Sequence, residues 1–272
     1  MRVLAVNDIS CIGKCSLSVT LPIVSACGIT CDVLPTSLLS THTGGFEGYT
    51  FLDLTDEMKS VLAHWGTLGV KFDYIYSGYL GSHEQIAIVE YLKKNFLKDG
   101  GKLVVDPVMG DSEQLYARFD DKFVEHMREL CKIADYILPN FTEACFLSGV
   151  DFITAKENPF ILLDELKKIN PCPIITGVQT GDEIAVYYLD GGKNNRYALN
   201  SEHGFFCGAG DIFASAFVGC LARGKNVANA VKFATDFTTA AIHRSAYEVE
   251  DKRYGINYEK ELFTFLKTLN EE

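Results

Sequence analysis

The stretch GFFCGAGDIF, residues 204–213, joins a glycine-rich turn to an apolar run with helical spacing. Gly208, Ala209 and Gly210 offer closely spaced backbone N–H groups with little side-chain obstruction, and the run 211–222 sets them at the positive end of a helix. The stretch reads as an anion hole built without a lysine. Asp211 has two readings. It is an ordinary helix N-cap, or it is a chemical group, since a carboxylate beside a phosphate costs Coulomb repulsion unless it takes a proton or faces a metal. A general base for an attacking hydroxyl has that job, because the loose transition state of phosphoryl transfer lets a weak base accept the proton late.

A turn of this kind needs a strand to deliver it, and strand signals recur along the chain. Short β-rich runs lie at 3–6, 30–35, 74–77, 103–106, 136–138, 174–176 and 184–189. Most are continuous apolar stretches, as expected of strands covered on both faces. Helical spacing marks 84–96, with Ile88, Tyr91, Leu92 and Phe96 on one face, and also 122–131, 227–243 and 259–269. This alternation predicts an α/β fold with a mostly parallel central sheet and helices on both faces. No Pro/Ser-rich linker, low-complexity tract or internal repeat divides the chain, so residues 1–272 are expected to form one domain. In such sheets ligands sit beyond the carboxyl ends of the strands.

Composition narrows the function. With 272 residues, 47% hydrophobic and 22% charged, the chain is long enough to bury a sizeable core. A formal charge of −11 argues against a general nucleic-acid binder. The start, MRVLAVNDIS, has neither a long apolar stretch nor a small-residue cleavage site, which predicts no membrane span and a cytoplasmic location. Nine cysteines, an odd number, fit reduced thiols. Cys11, Cys15, Cys27 and Cys31 form two C-x3-C pairs, but the spacer looks helical, so they read as small buried residues rather than a zinc cluster.

NDISCIGKCS, residues 7–16, follows the first apolar run and holds Gly13-Lys14. It fails the P-loop template, because Asp8 replaces the first glycine and Cys15 stands where the magnesium-binding hydroxyl belongs. Lys14 reads as a solvated side chain on the first turn of a helix. Two other strand ends carry acids. VVDPVMGD puts Asp106 at a strand tip with Asp111 in the loop beyond, and ILPNFTEA places Asn140 and Glu143 where a helix starts. Oxygen donors in such a group suit Mg²⁺ completed by water, although on spacing alone Glu143 reads as the capping-box partner of Asn140.

VVDPVMGD, ILPNFTEA, IITG and the late GAGD together resemble the ribokinase-like small-molecule kinases, in the same order along the chain from residue 2 to about residue 245. STHTGG at 40–45 and SGYLGS at 77–82 are similar to the vitamin B6 (pyridoxal/pyridoxamine) kinases in particular. The resemblance implies ATP as phosphoryl donor, with Asp211 deprotonating a hydroxymethyl group and Gly208, Ala209 and Gly210 framing the transferred phosphate. It implies that Asp106 and Glu143 organise magnesium and phosphates, supported by Asn140 and Asp111. Thr176 would line the nucleotide phosphates and Tyr116 would lie over the nucleotide, with the adenine pocket drawn from around Cys207 and residues 229–233. On the acceptor side, Thr43 matches a ring-contacting residue and Tyr79 lines the same cavity. Asn7 and Asp8 are placed to hydrogen-bond a nitrogen heterocycle, a carboxylate there pairing with a ring nitrogen or an amine.

Asp8 stands where the B6 kinases often have Ser, whereas the hydroxymethylpyrimidine kinases of thiamin synthesis carry SDPSGGAG with a matching Asp. The expected activity is therefore ATP-dependent phosphorylation of pyridoxal, pyridoxamine or pyridoxine, with hydroxymethylpyrimidine phosphorylation as the alternative. A nucleotide-binding sensor that has lost catalysis is a third reading. The resemblance further implies a homodimer and leaves a monovalent cation open. His42 and His203 lie near the site loops but read as surface or packing residues.

Overall fold

In the computed structural model, which describes residues 1–200, 202, 204 and 206–271, the chain alternates strands and helices as expected. The first half comprises β1 (Arg2–Ser10), α1 (Leu17–Ala26), β2 (Thr30–Leu39), β3 (Phe51–Asp53), α2 (Thr55–Leu68), β4 (Phe72–Ser77), α3 (His83–Phe96), β5 (Leu97–Val105), the short hairpin strands β6 (Gly110–Asp111) and β7 (Gln114–Leu115), and α4 (Asp121–Ile133). Then come β8 (Tyr136–Ile137), α5 (Phe141–Ser148), α6 (Phe152–Glu157), α7 (Phe160–Leu166), β9 (Ile174–Thr180), β10 (Glu183–Asp190), β11 (Lys193–Asn200), α8 (Ala209–Ala222), α9 (Val227–Glu248) and α10 (Leu262–Glu271).

The central sheet has six strands in the order β3-β2-β1-β4-β5-β8. Its pairs are parallel except at the edge, where β3 runs antiparallel to β2. Period-two alternation sorts each inner strand onto two cores. Leu4, Val6, Ile75, Leu103 and Val105 face Met58, Leu92, Met127 and Leu163 on one side. Val3, Ala5, Tyr76 and Val104 face Ile23, Phe217, Val231 and Phe265 on the other. Both faces are thus covered, which is why these strands read as unbroken apolar runs.

Two features depart from the sequence expectation. A separate antiparallel sheet, β11-β10-β9, continues from β8 through parallel bridges Ile137 to Pro173 and Asn140 to Thr176. Its outer strand β11, KNNRYALN, lacks the apolar run that would announce it, because an edge strand needs one covered face at most. On α3, Ile88, Leu92 and Phe96 are buried as expected, but Tyr91 is 52% exposed. Ile86 and Val89 fill the core face instead, and the Tyr91 ring packs on the edge of Phe96 at 6.1 Å.

The start of α8 is seated against the turn that follows β1. Gly208, the N-cap, has φ 85°, and a Cβ there would stand 2.0 Å from the main-chain oxygen of Lys14. Only glycine meets both demands. At Gly210, which is exposed, an added Cβ would meet nothing within 4 Å. Gly208→Ala is therefore expected to lower unfolding free energy by about 2–4 kcal/mol in chemical denaturation, whereas Gly210→Ala should be neutral or raise it by up to about 1 kcal/mol because helix propensity favours the alanine.

Candidate active site

The polar ends of β1, β4, β5 and the loop after β8 converge on the first turn of α8. The carboxylate of Asp211 accepts from Asn7 Nδ2 at 3.2 Å and from the main-chain N–H of Ser16. Burial raises its pKa to about 7; the Ser16 and Asn7 hydrogen bonds oppose the shift, and the charges of Asp8 and Cys207 add to it. The N-cap of α8 is Gly208 and not Asp211. Asp211 is therefore free of the capping role that its position allowed.

Asp8 is buried at the tip of β1 and accepts from Ser10 Oγ at 3.2 Å and from the Ser16 hydroxyl. Burial raises its pKa, and those hydrogen bonds hold part of the shift back. Ser16 thus serves two carboxylates, its main chain turned to Asp211 and its side chain to Asp8, from a left-handed φ of 54° that serine rarely adopts. Nothing in its sequence context marks it. Tyr79 lies in the same neighbourhood, its hydroxyl pKa raised by burial with Arg118 and Asp8 nearby. Its ring packs at 5.9 Å on Phe119, which in turn meets Tyr116 at 6.5 Å. Arg118 covers the Phe51 ring at 4.0 Å, which brings the segment after β7 against β3. Thr43 is exposed on the loop between β2 and β3.

Asn7 is not free to bond a heterocycle as expected. Its carboxamide is spent on Asp211 and on the backbone N–H groups of Asp8 and Tyr79. Lys14 precedes α1 rather than lying on its first turn, and its ammonium bonds Asn257 at 2.7 Å and Glu259 at 2.9 Å. Cys207 lies beside the acceptor-side loop, with Sγ 3.5 Å from His42 Nδ1. His42 is buried, which is the packing alternative of its reading, with Nε2 2.6 Å from the Arg253 carbonyl and Nδ1 accepting from Gly44 N–H at 3.0 Å. A hydrogen bond from Cys15 pulls the Cys207 thiol pKa down against its burial, and His42 adds to the effect. Residues 229–233 lie in the first turns of α9, which Asn226 caps through the Asn229 N–H at 2.9 Å. His203 lies outside the described residues.

The remaining acids form a second group. Glu143 and Asn140 make the capping box that their spacing allowed, at 2.9 Å in each direction. Glu143 also accepts from Met109 N–H at 3.1 Å, and Asn140 Nδ2 donates to the Gly110 carbonyl at 2.8 Å. The pair therefore shapes the DPVMGD loop. Thr176 is bridged to Asn140, its N–H donating to the Pro139 carbonyl at 2.9 Å. Asp111, on β6, accepts from the Ser112 N–H at 2.6 Å. Asp106 is buried, and its pKa is raised by desolvation and by the charges of Glu143 and Asp211. Burial raises Glu143 as well, against its backbone hydrogen bonds.

Among the described residues no group of three or more His, Cys, Asp or Glu is arranged to hold a metal ion. Cys27 is buried in the core, Cys15 is buried, Cys31 is half-buried and Cys11 is exposed. The acids nonetheless fit magnesium of the kind that keeps its water and takes one or two carboxylates plus substrate phosphates. Asp106 and Glu143 are hard oxygen donors whose charges oppose each other. The Tyr76 hydroxyl and Ser77 Oγ are buried without hydrogen-bond partners, so the interior at this end of β4 holds unsatisfied polar oxygens. No described helix is long and apolar enough to cross a membrane.

Comparison with known proteins agrees with this arrangement. A family model for phosphomethylpyrimidine kinase matches residues 23–257. Pyridoxine kinase of Bacillus subtilis (strain 168) is 32% identical over 70% of this chain and 71% of its own. The crystal structure of pyridoxal kinase from Lactobacillus plantarum superposes with a TM-score of 0.89 at 35% identity, covering 99% of this chain and 98% of that one. A chloroplastic thiamine biosynthetic bifunctional enzyme of Arabidopsis thaliana is 29% identical over 83% of this chain, which spans only 43% of that longer protein. A glycine-capped helix start, a buried acid in its first turn and relatives of this extent agree: the chain belongs to the phosphomethylpyrimidine kinase family, and it is a ribokinase-like, ATP-dependent small-molecule kinase.

Proposed function

We propose that the protein transfers the γ-phosphoryl group of ATP to the hydroxymethyl group of pyridoxal, pyridoxamine or pyridoxine. The observation that carries this reading is the position of Asp211 in the first turn of α8, beside the glycine cap at Gly208 and the exposed Gly210, with a pKa raised to about 7. A base of that strength takes the alcohol proton late in a loose transition state, while the main-chain N–H groups stabilise the equatorial oxygens. Asp106 and Glu143 would hold magnesium, which supplies charge neutralisation to the phosphates when bound. Asp8, Tyr79 and Thr43 would orient the acceptor ring, and Thr176, Asn140 and Tyr116 the nucleotide. The B6 assignment is supported by the pyridoxine and pyridoxal kinases among the relatives.

Asp8 favours a second reading, hydroxymethylpyrimidine as acceptor. Asp8 is a buried carboxyl at the tip of β1, and its oxygens accept from donors such as the exocyclic amino group of an aminopyrimidine. Turnover measured in parallel on pyridoxal, pyridoxamine and hydroxymethylpyrimidine separates the two readings. The B6 reading expects kcat/KM at least about tenfold higher for a B6 vitamer, a difference of some 1.4 kcal/mol in transition-state binding, and the opposite ranking overturns it.

Asp211→Asn should leave nucleotide binding intact while kcat falls by about two orders of magnitude or more. The pH dependence has a definite sign. The base works ionised, so kcat should fall as pH drops through about 7, and a kcat flat between pH 5.5 and 8 would refute the assignment. Stability runs the other way. A carboxyl whose folded pKa is raised favours the fold when protonated, and that contribution is lost as pH rises through about 7. Asp211→Asn should therefore raise the unfolding midpoint at pH 8, with a smaller gain at pH 5.5.

A further inference from the structure

Asn7 is 1% exposed at the end of β1, and the surrounding hydrogen bonds determine which way its amide points. Oδ1 accepts from the backbone N–H of Asp8 at 3.0 Å and of Tyr79 at 2.8 Å. A flipped amide would set its NH₂ against two N–H donors and its oxygen against a carboxylate, so the orientation is forced by its partners. Nδ2 is left facing Asp211 Oδ1 at 3.2 Å, across 204 residues of chain. Gly78 closes the clamp. An added Cβ there would stand 2.3 Å from Nδ2 and 2.5 Å from Cγ of Asn7, and the Gly78 N–H is itself fixed to the Val6 carbonyl at 2.9 Å.

We infer that Asn7 is a positioning residue that aims the Asp211 carboxylate at the acceptor hydroxyl, tying the start of α8 to the tips of β1 and β4. The inference rests on Asp211 acting as the base. Oδ1 of Asp211 is held by a donor whose own position is set by two main-chain N–H groups, so the carboxylate loses the rotational freedom that a buried, singly held acid would keep. The donor also favours the ionised form. Other groups face Asp211 from each surrounding element. They are Asp8 on β1, Cys15 and the Ser16 main chain before α1, Tyr76 on β4, Asp106 after β5, Tyr116 after β7 and Cys207 before α8. Among these acids and thiols, Asn7 and Ser16 are the hydrogen bonds that favour the ionised carboxylate.

Asn7→Asp separates positioning from simple structural support. It keeps an oxygen for the Asp8 and Tyr79 N–H groups and keeps the shape that Gly78 accommodates, but it replaces the donor facing Asp211 with an acceptor that carries charge. With saturating magnesium-ATP and pyridoxal, kcat at pH 7 should fall about tenfold or more and the acid limb of kcat should move up by about one pH unit or more, with KM for ATP within about twofold of the parent. Asn7→Ser, which shortens the side chain and withdraws the donor, should move the limb the same way and serves where Asn7→Asp does not fold, as read by its unfolding midpoint. A folded variant of either kind with an unmoved limb and unchanged kcat overturns the inference. In the Asp211→Asn background the Asn7 substitution should cause no further loss of kcat, and a second loss of the same size would also overturn it. Asp211→Asn with normal turnover would instead defeat the base assignment itself, so the two failures are distinguishable.

Discussion

The seating of Gly208 on the Lys14 main chain is the contact on which the rest of the site depends. A Cβ at position 208 would stand 2.0 Å from the Lys14 carbonyl oxygen, so this helix can be capped only by glycine. Because Lys14 and Ser16 belong to the turn after β1, that contact brings the strand tip carrying Asn7 and Asp8 against the first turn of α8. One close approach therefore brings Asp211 and the polar tip of β1 together, and Gly208 sets the distance between them.

The same assembly gathers Asp8, Asp106, Asp211 and Glu143 at one end of the sheet, and their mutual effects run in one direction. Desolvation and neighbouring charge raise Asp106, and burial raises the other three. Hydrogen bonds oppose the rise differently at each. Glu143 is held by main-chain N–H groups of the loop it shapes, and Asp8 by two serines. Asp211 is held by Asn7 and the Ser16 main chain, and Asp106 has Glu143 and Asp211 as charged neighbours. A cluster in which each acid makes its neighbours harder to ionise relaxes when a cation or a proton enters. On the proposed function, phosphoryl transfer would supply both, a cation with the nucleotide and a proton from the alcohol.

Where a feature is local in the chain, it is legible in the sequence. The strands at 3–6, 74–77 and 103–106 are unbroken apolar runs because helices cover both faces, and the capping box at Asn140 and Glu143 follows from a three-residue spacing. β11 escapes notice because its polar edge carries no alternation strong enough to mark a strand. Tyr91 keeps the helical spacing of a core residue and still faces water, since Ile86 and Val89 on the same helix complete the packing. Periodicity specifies a face, and the neighbouring elements decide how wide that face must be.

Within the site, the residues that sequence could name are those whose motif includes their own chemistry, such as the acid of GAGD or the acid of DPV. Asn7, His42, Cys207 and Ser16 take their roles from partners far along the chain: Asn7 from Asp211 across 204 residues and His42 from Cys207 across 165. A polar residue at a strand tip reads as a ligand for substrate because strand tips face ligands. That rule names the residues that reach the site but not the ones already satisfied by a neighbour. Asn7 shows the difference: its oxygen is committed to two backbone donors before any substrate arrives, and only its nitrogen is left to act, on the base rather than on the ring.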